Sequence, residues 1–220
     1  MRRLILQNRV FFTGFAALLL LGGALLVVIE HGDAIWFFSA GRTIYADSFF
    51  RAWTRVVEIP TYLLLLVAFL FIRIRHSIAI AVTGILVTVV GLGAKAFFAR
   101  NRPVSYFDEL NLLEKIKLVE GYGLDVLYTG ATSFPSGHTL SAFALCGYLA
   151  FVAPRKGWVG ALLLCAAFLV GLSRIYLVQH FLEDVYAGAL LGVLLAMIVY
   201  EIQRRFPQDE GRWWNRRLGR

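Results

Sequence analysis

The sequence predicts an all-α integral membrane protein with six transmembrane helices. Of its 220 residues, 59% are hydrophobic and 16% are charged, whereas a soluble domain is typically about 45–50% apolar and about 25% charged. The apolar residues form six segments, and basic residues cluster at the segment ends. That placement favours contact with a bilayer over binding to nucleic acid, despite a net charge of +8. We expect residues 1–220 to form a single transmembrane domain, with any active site built from the helices and their loops.

The first apolar segment, residues 10–29, is an uncharged run of 20 residues. That length matches the roughly 20 residues that a helix needs to cross the hydrocarbon core. A cleaved signal peptide would have an apolar region of about 7–15 residues followed by a small-residue cleavage site. Residues 30–33, Glu-His-Gly-Asp, do not resemble such a site. We therefore expect a helix that is retained.

The other five segments are shorter, and inward-facing polar residues are expected to interrupt them. They cover residues 59–72, 77–94, 135–153, 157–173 and 185–200. The second segment is expected to begin earlier, within residues 49–57. If all six cross with the N-terminus in the cytoplasm, most of the Lys and Arg residues fall on the cytoplasmic side, as the positive-inside rule requires. For a bacterial protein this predicts an inner-membrane location with both termini cytoplasmic.

Two connections on the external side are long enough to have structure of their own. Residues 31–58 are rich in aromatic side chains, which indicates an interfacial amphipathic segment. Residues 104–134 form the longest connection, and loops of that length are usually functional or disordered. Its apolar residues predict a short amphipathic helix: Leu110, Leu112, Leu113, Ile116 and Val119. Such a helix is either a lid over a site or a passive helix on the membrane surface.

Ionisable residues gather at the external ends of segments three to six. Charged and imidazole groups at membrane depth are costly and therefore usually functional. The residues concerned are Lys95, Arg102, His138, Arg174, His180 and Asp184. Because the predicted topology puts all of them on one side, we expect a single anion-binding site.

Residues 133–138, Ser-Phe-Pro-Ser-Gly-His, have the composition of a helix start. Ser caps helices, Pro suits the first turn, and Gly permits a close approach of ligand to backbone. The free N–H groups of a helix N-terminus bind phosphate. Taken alone, the pattern fits an ordinary helix start equally well.

In residues 173–184, His180 and Asp184 are four residues apart, which places them on one face if both are helical. The carboxylate then fixes the imidazole tautomer and leaves the other ring nitrogen free as a nucleophile or base. Arg174 has the planar guanidinium that matches phosphate oxygens. Two His and one Asp are also possible zinc ligands, but the neighbouring cations favour an anion over a metal ion, so no metal or other cofactor is expected.

The spacings Lys95-x6-Arg102-Pro103, Pro135-Ser136-Gly137-His138 and Ser173-Arg174-x5-His180-x3-Asp184 resemble the three signature motifs of the type 2 phosphatidic acid phosphatase family. That superfamily also contains soluble bacterial acid phosphatases and vanadium haloperoxidases. The motifs occur in the expected order, and no signature position departs from the pattern. Each motif is weak alone, but three together in a membrane context are specific.

The resemblance implies a metal-independent lipid phosphatase that acts through a phosphohistidine. His180 would be the nucleophile, Asp184 would orient it, and His138 would serve as acid and then base. The phosphate oxygens would be held by Lys95, Arg102, Arg174, Ser136 and Gly137. Candidate substrates are phosphatidylglycerophosphate, phosphatidic acid, undecaprenyl pyrophosphate and the lipid A 1-phosphate. A lipid-to-lipid phosphotransferase with the same site and a non-catalytic anion transporter are the alternative functions.

Overall fold

The computed structural model of the protein describes residues 1–119, 129–207, 209 and 212–219. Within these residues the chain forms ten α-helices and no β-strand. The helices are α1 (Arg2–Gln7), α2 (Arg9–Val28), α3 (Asp33–Ala40), α4 (Ile44–Thr54), α5 (Ile59–Leu70), α6 (Ile74–Phe98), α7 (Pro103–Glu109), α8 (Gly137–Val152), α9 (Lys156–Tyr176) and α10 (Leu182–Arg205).

Four helices, α2, α6, α9 and α10, are long and apolar enough to cross a membrane. A fifth span results if the pair Ile44–Val57 and Ile59–Leu70, which is bent by 49°, counts as one. The apolar helix α8 is shorter, at 16 residues. Large apolar side chains point outward from the spans; Leu20 is 77% exposed and Ile85 is 63% exposed. Since such surfaces require an apolar solvent, the prediction of an all-helical integral membrane protein is confirmed.

Each of the six predicted segments coincides with a helix, and five of the helices begin within three residues of the predicted start. The second is an exception, because its helix begins at Ile59 and not within residues 49–57. Glu58 has extended backbone and caps the helix, and Pro60 occupies the first turn. Proline has no N–H to donate and therefore favours a helix start at this point. The preceding residues form a separate helix, α4, at an angle to α5.

Helix α8 lies at the centre of the bundle, in contact with α6, α9 and α10. Its closest neighbour is α10, where glycines allow the two backbones to touch. A Cβ atom built on Gly188 would lie 2.8 Å from the carbonyl oxygen of Ser136, and one on Gly192 would lie 2.6 Å from that of Leu140. Small residues at such spacing are the usual means of close packing between membrane helices. This contact fixes the start of α8 against the start of α10.

The helix predicted over residues 110–119 is wrong. Among the described residues of this connection, the helix is α7, which ends at Glu109, and a 3-10 turn at Leu113–Lys115 follows it. Asn111 adopts a left-handed backbone with φ of 56°, a common way to terminate a helix. Ile116 and Val119 are buried and do not form a surface face. Residues 120–128 of this connection lie outside the described residues, so the choice between a lid and a passive helix stays a prediction.

The two long connections contact each other. Residues 31–58, expected to be amphipathic, form helices α3 and α4. Arg42, between these helices, donates from Nε to the carbonyl oxygen of Lys117 at 2.5 Å and from Nη2 to that of Tyr176 at 2.6 Å. The hydroxyl of Ser39 accepts from the Lys117 N–H at 2.7 Å. These bonds hold the start of the long loop against the end of α9.

Candidate active site

The six ionisable residues singled out in the sequence come together at one end of the bundle. Each belongs to a different part of the chain: Lys95 to the last turn of α6, Arg102 to the cap of α7, His138 to the first turn of α8, Arg174 to the last turn of α9, His180 to the loop after α9, and Asp184 to the first turn of α10. His138 and His180 interact electrostatically with each other and with all three cations. The site is therefore a cluster of two imidazoles and three cations.

His180 and Asp184 are in contact, but not in the way that a shared helix would produce. Helix α10 begins at Leu182, so His180 lies in the preceding loop. The loop turns sharply at Val178, which has a left-handed φ of 58°. As a result, Nδ1 of His180 lies 3.4 Å from Oδ2 of Asp184. The expectation of a helical i, i+4 pair is corrected, because Asp184 meets His180 from the first turn of the next helix.

Ser133 joins the two halves of this pair. Its hydroxyl donates to Oδ2 of Asp184 at 2.5 Å and lies 3.5 Å from Nδ1 of His180. The same carboxylate oxygen accepts the N–H of Phe181 at 2.9 Å. Nδ1 is directed at the carboxylate and the Ser133 hydroxyl, so Nε2 is the ring nitrogen on the opposite side, where the nucleophilic role predicted from the sequence would place it.

The surroundings of His180 disfavour its protonated form. Burial lowers its pKa well below the usual value, and the positive charges of Arg174, Arg102 and Lys95 lower the pKa further. The side chain is almost completely shielded from solvent, with 1% exposed. A histidine whose pKa is depressed keeps a lone pair on nitrogen at neutral pH, which a nucleophile requires.

The start of α8 supplies backbone donors. Ser136 caps the helix: its hydroxyl accepts from the Thr139 hydroxyl at 2.8 Å and from the Thr139 N–H at 3.4 Å. A Cβ built on Gly137 would lie 3.8 Å from Nζ of Lys95, so the ammonium group lies beside the helix start. His138 follows in the same turn and is half-buried. A helix N-terminus beside a cation is a favourable place for phosphate.

The two guanidinium groups are held by their neighbours. Arg102 donates from Nε to the hydroxyl of Thr132 at 2.9 Å and from Nη1 to the carbonyl oxygen of Gln179 at 3.3 Å. Arg174 donates from Nη1 to the hydroxyl of Thr54 at 2.7 Å and from Nη2 to Oε1 of Gln179 at 3.4 Å. Gln179 thus contacts both arginines and directly precedes His180.

Four of these residues were not predicted as members of the site, and Thr132, which accepts from Arg102, is the first. Thr54 comes from α4, and nothing in the sequence connects it with Arg174. Ser133 attracted notice only as a possible helix cap, a position that Ser136 occupies. Gln179 lies within the five-residue spacer of the third motif; a buried polar residue next to the candidate nucleophile was the one available signal. Among the described residues, no group of three or more His, Cys, Asp or Glu side chains is arranged to hold a metal ion.

Known proteins resemble this chain in sequence and structure. The Bacitracin transport permease protein BcrC of Bacillus licheniformis is 51% identical over 69 residues, which cover 31% of this chain and 32% of that protein. Phosphatidylglycerophosphatase B of Bacillus subtilis is 35% identical over 96 residues, covering 40% of this chain and 47% of that protein. The crystal structure of Aquifex aeolicus LpxE superposes with a TM-score of 0.64 at 28% identity, covering 77% of this chain and 93% of that one.

The sequence matches to the two curated relatives span about a third to a half of their length. The model of the PAP2 superfamily matches residues 74–208, which include five of the ten helices and all three motifs. That stretch is more than half of the chain. The chain therefore belongs to the PAP2 superfamily.

Proposed function

We propose that this protein is a lipid phosphatase that hydrolyses a phosphate ester or pyrophosphate through a phosphohistidine. The observation that carries the proposal is the arrangement around His180. Its Nδ1 faces Asp184 and Ser133, while Arg102, Arg174 and Lys95 surround the site. Binding an anion needs only the cations. A neutral, oriented imidazole among them adds a nucleophile.

In the first step, Nε2 of His180 attacks phosphorus and a nitrogen–phosphorus bond forms. The bond between phosphorus and the lipid oxygen breaks, and His138 gives its proton to that oxygen. The negative charge of a bound phosphate favours the protonated state of His138 that this step needs. The three cations and the N–H groups at the start of α8 stabilise the charge on the transferring phosphoryl group.

In the second step, a water molecule attacks the phosphohistidine. His138, now neutral, takes a proton from the water, the nitrogen–phosphorus bond breaks, and inorganic phosphate leaves. His180 returns to its neutral state and His138 is again protonated. Dividing hydrolysis in this way replaces one difficult displacement by two easier ones.

The site is proposed to face the external side of the membrane, with six spans and both termini cytoplasmic. The six helices that coincide with the predicted segments, together with the basic residues at the opposite end of the bundle, support this orientation. An inner-membrane location in a bacterium follows from it. Substrates would then reach the site from the external leaflet.

A panel of lipid phosphates tests the proposal. Purified protein in detergent with EDTA is offered phosphatidylglycerophosphate, phosphatidic acid, undecaprenyl pyrophosphate and lipid A 1-phosphate, and released phosphate is measured. We expect at least one of them to be hydrolysed in EDTA at a rate that is abolished by His180→Ala. Activity that is lost in EDTA and restored by zinc would contradict the metal-free mechanism.

The same assay separates the alternative functions. A phosphotransferase would give phosphorylated lipid in place of free phosphate when a second lipid alcohol is added. A transporter is the alternative that fits the name of the relative from Bacillus licheniformis, a transport permease. It would release no phosphate from any substrate in the panel.

Gln179 is proposed to donate to the bound phosphate. Its Oε1 accepts a hydrogen bond from Arg174. The opposite amide orientation would place two donors, the amide NH2 and the guanidinium, against each other. Nε2 of Gln179 therefore points away from Arg174. Nε2 is buried and has no hydrogen-bond partner among the described residues. A buried donor without a partner is costly, and a phosphate oxygen held between Arg102 and Arg174 would satisfy it.

Gln179→Leu is therefore expected to lower kcat/KM by about 10–100-fold, as loss of a hydrogen bond to a charged group does. Gln179→Glu keeps the acceptor for Arg174 but adds a negative charge, so it is expected to lose more, chiefly through KM. Steady-state kinetics with the best lipid substrate measures both. A Gln179→Glu variant as active as wild type would show that the residue only supports Arg174.

A further inference from the structure

Two cavities meet at the end of the bundle opposite the active site. The first, of about 320 Å³, lies among the start of α6, the turn from α8 to α9 and the end of α10. The second, of about 410 Å³, is an apolar groove between α6 and α10. Arg75 and Gln203 line both cavities and form the wall between them.

A hydrogen-bond network builds this wall. Gln203 donates from Nε2 to the carbonyl oxygen of Arg75 at 2.7 Å and to the hydroxyl of Tyr148 at 2.8 Å. Nη2 of Arg75 donates to the carbonyl oxygen of Gln203 at 2.9 Å. Nδ1 of His76 lies 2.8 Å from the Tyr148 hydroxyl. Because these groups hold each other, the two cavities are preformed features of the fold.

The first cavity is basic. The cations that line it are Arg73, Arg75, Lys156 and Arg204. Among the described residues, Glu201 is the carboxylate bonded to Arg204, at 2.7 Å, and its other oxygen is shared with the N-terminal ammonium at 3.3 Å. The rim therefore has an excess of positive charge, and a ligand of opposite charge is the complementary one.

The second cavity is apolar and runs along the helices. Its walls are formed by Ile78, Val82, Leu86, Val199, Ile202 and Phe206. Trp213 and Trp214 of the C-terminal tail close it at the basic end. From Arg75 to Leu86 the groove follows α6 for about 16 Å at the rise of an α-helix, which is the length of most of an acyl chain. Tryptophan flanking such a groove is typical of the membrane interface.

We propose that these two cavities bind one anionic phospholipid from the leaflet at this end of the protein. Its phosphodiester headgroup occupies the basic cavity, and one acyl chain lies in the groove between α6 and α10. Basic pockets between transmembrane helices recognise anionic headgroups in this way. A soluble anion would bind the cations of the first cavity but leave the apolar groove empty. A lipid fills both cavities, because it has an anionic headgroup and an apolar chain. The lipid would contact both α6 and α10. At the opposite end of the bundle, α6 carries Lys95 and α10 carries Asp184.

Thermal unfolding in detergent provides the test, and it does not depend on catalysis. Added dioleoylphosphatidylglycerol is expected to raise the unfolding midpoint by about 3–6 °C, the shift that corresponds to saturating one site in a protein of this size. Dioleoylphosphatidylcholine and inorganic phosphate are expected to give no shift. Native mass spectrometry is expected to show one retained molecule of phosphatidylglycerol.

Variants locate the effect. Arg73→Gln and the double variant Arg73→Gln/Lys156→Gln are expected to reduce and then abolish the shift, and Val82→Trp, which fills the groove, should abolish it too. Arg155→Gln is the matched control, because Arg155 is exposed at the same end but does not line the cavity. A shift that survives in the double variant, that is lost in Arg155→Gln, or that phosphatidylcholine also produces would overturn the proposal.

Discussion

Replacing His180 with asparagine is expected to lower the rate of phosphate release by at least about 1,000-fold, because the nucleophile is lost while the anion site remains. Asparagine keeps a side-chain donor near the position of Nδ1, so Asp184 and Ser133 retain a partner. The variant should therefore fold and still bind lipid phosphate. Phosphate release from the preferred lipid, measured in EDTA, gives the rate, and thermal unfolding confirms that the protein is intact.

The partner variant, His138→Asn, distinguishes the two imidazoles. It lacks the acid for the leaving group and the base for water, but it keeps the nucleophile. With a substrate whose leaving group needs no protonation, such as a nitrophenyl phosphate ester, the first step should proceed and the second should stall. We expect an alkali-stable phosphoenzyme to accumulate in His138→Asn and to be absent in His180→Asn. A phosphoenzyme that forms without His180 would assign the nucleophile to another residue.

Gly188→Ala is expected to reduce activity by about 100-fold, because small displacements of catalytic groups are that costly, and to lower the free energy of unfolding by about 1–3 kcal/mol. The new Cβ would lie 2.8 Å from the carbonyl oxygen of Ser136 and 3.1 Å from Cβ of Thr139. Both residues lie at the start of α8. The helix start must move away, taking His138 with it.

Gly91→Ala is the control for this change. Gly91 lies in α6, four residues before Lys95, and a Cβ built there would have no atom of the described residues within 4 Å apart from the backbone of its own helix. Alanine favours helix over glycine by up to about 1 kcal/mol, so stability and activity should be retained. Kinetics and thermal unfolding of the two variants side by side form the measurement. If Gly188→Ala behaves like Gly91→Ala, the two helix starts are not in the close contact described.

The residues of the site that carry charge were predictable from the sequence, because charges at membrane depth are conspicuous against apolar segments. Lys95 and Arg174 end their segments, and the positive-inside rule puts both on one side. The neutral residues that hold them were not predictable. Thr54 meets Arg174 across 120 positions of sequence, and a single threonine near an aromatic stretch has no distinctive pattern. Only the packing of α4 on α9 brings it there.

Errors in the fold have equally local causes. The apolar residues at 110–119 have the spacing of one helix face and therefore predict a helix. In the structure, Asn111 has a positive φ and Ile116 is buried, so the stretch consists of a turn followed by an extended segment. The spacing of His180 and Asp184 was read as helical, whereas the helix starts at Leu182. In both places a residue with positive φ, Asn111 or Val178, changes the direction of the chain. The periodicity of apolar residues does not predict where such a residue occurs.

The bond between the Ser136 N–H and the Asp184 carbonyl oxygen, 3.0 Å long, has a bearing on how substrates enter. Together with the Ser133–Asp184 bond it ties the segment before α8 to the first turn of α10, so the proposed acid–base residue His138 and the proposed nucleophile His180 are held in a fixed relative position. A bulky lipid must therefore enter the active site between other elements than these two. Lys95 is half-buried and belongs to the last turn of α6, which is neither of these two segments. We therefore expect a lipid to enter on the side of Lys95, where a side-chain movement would leave the distance between His138 and His180 unchanged.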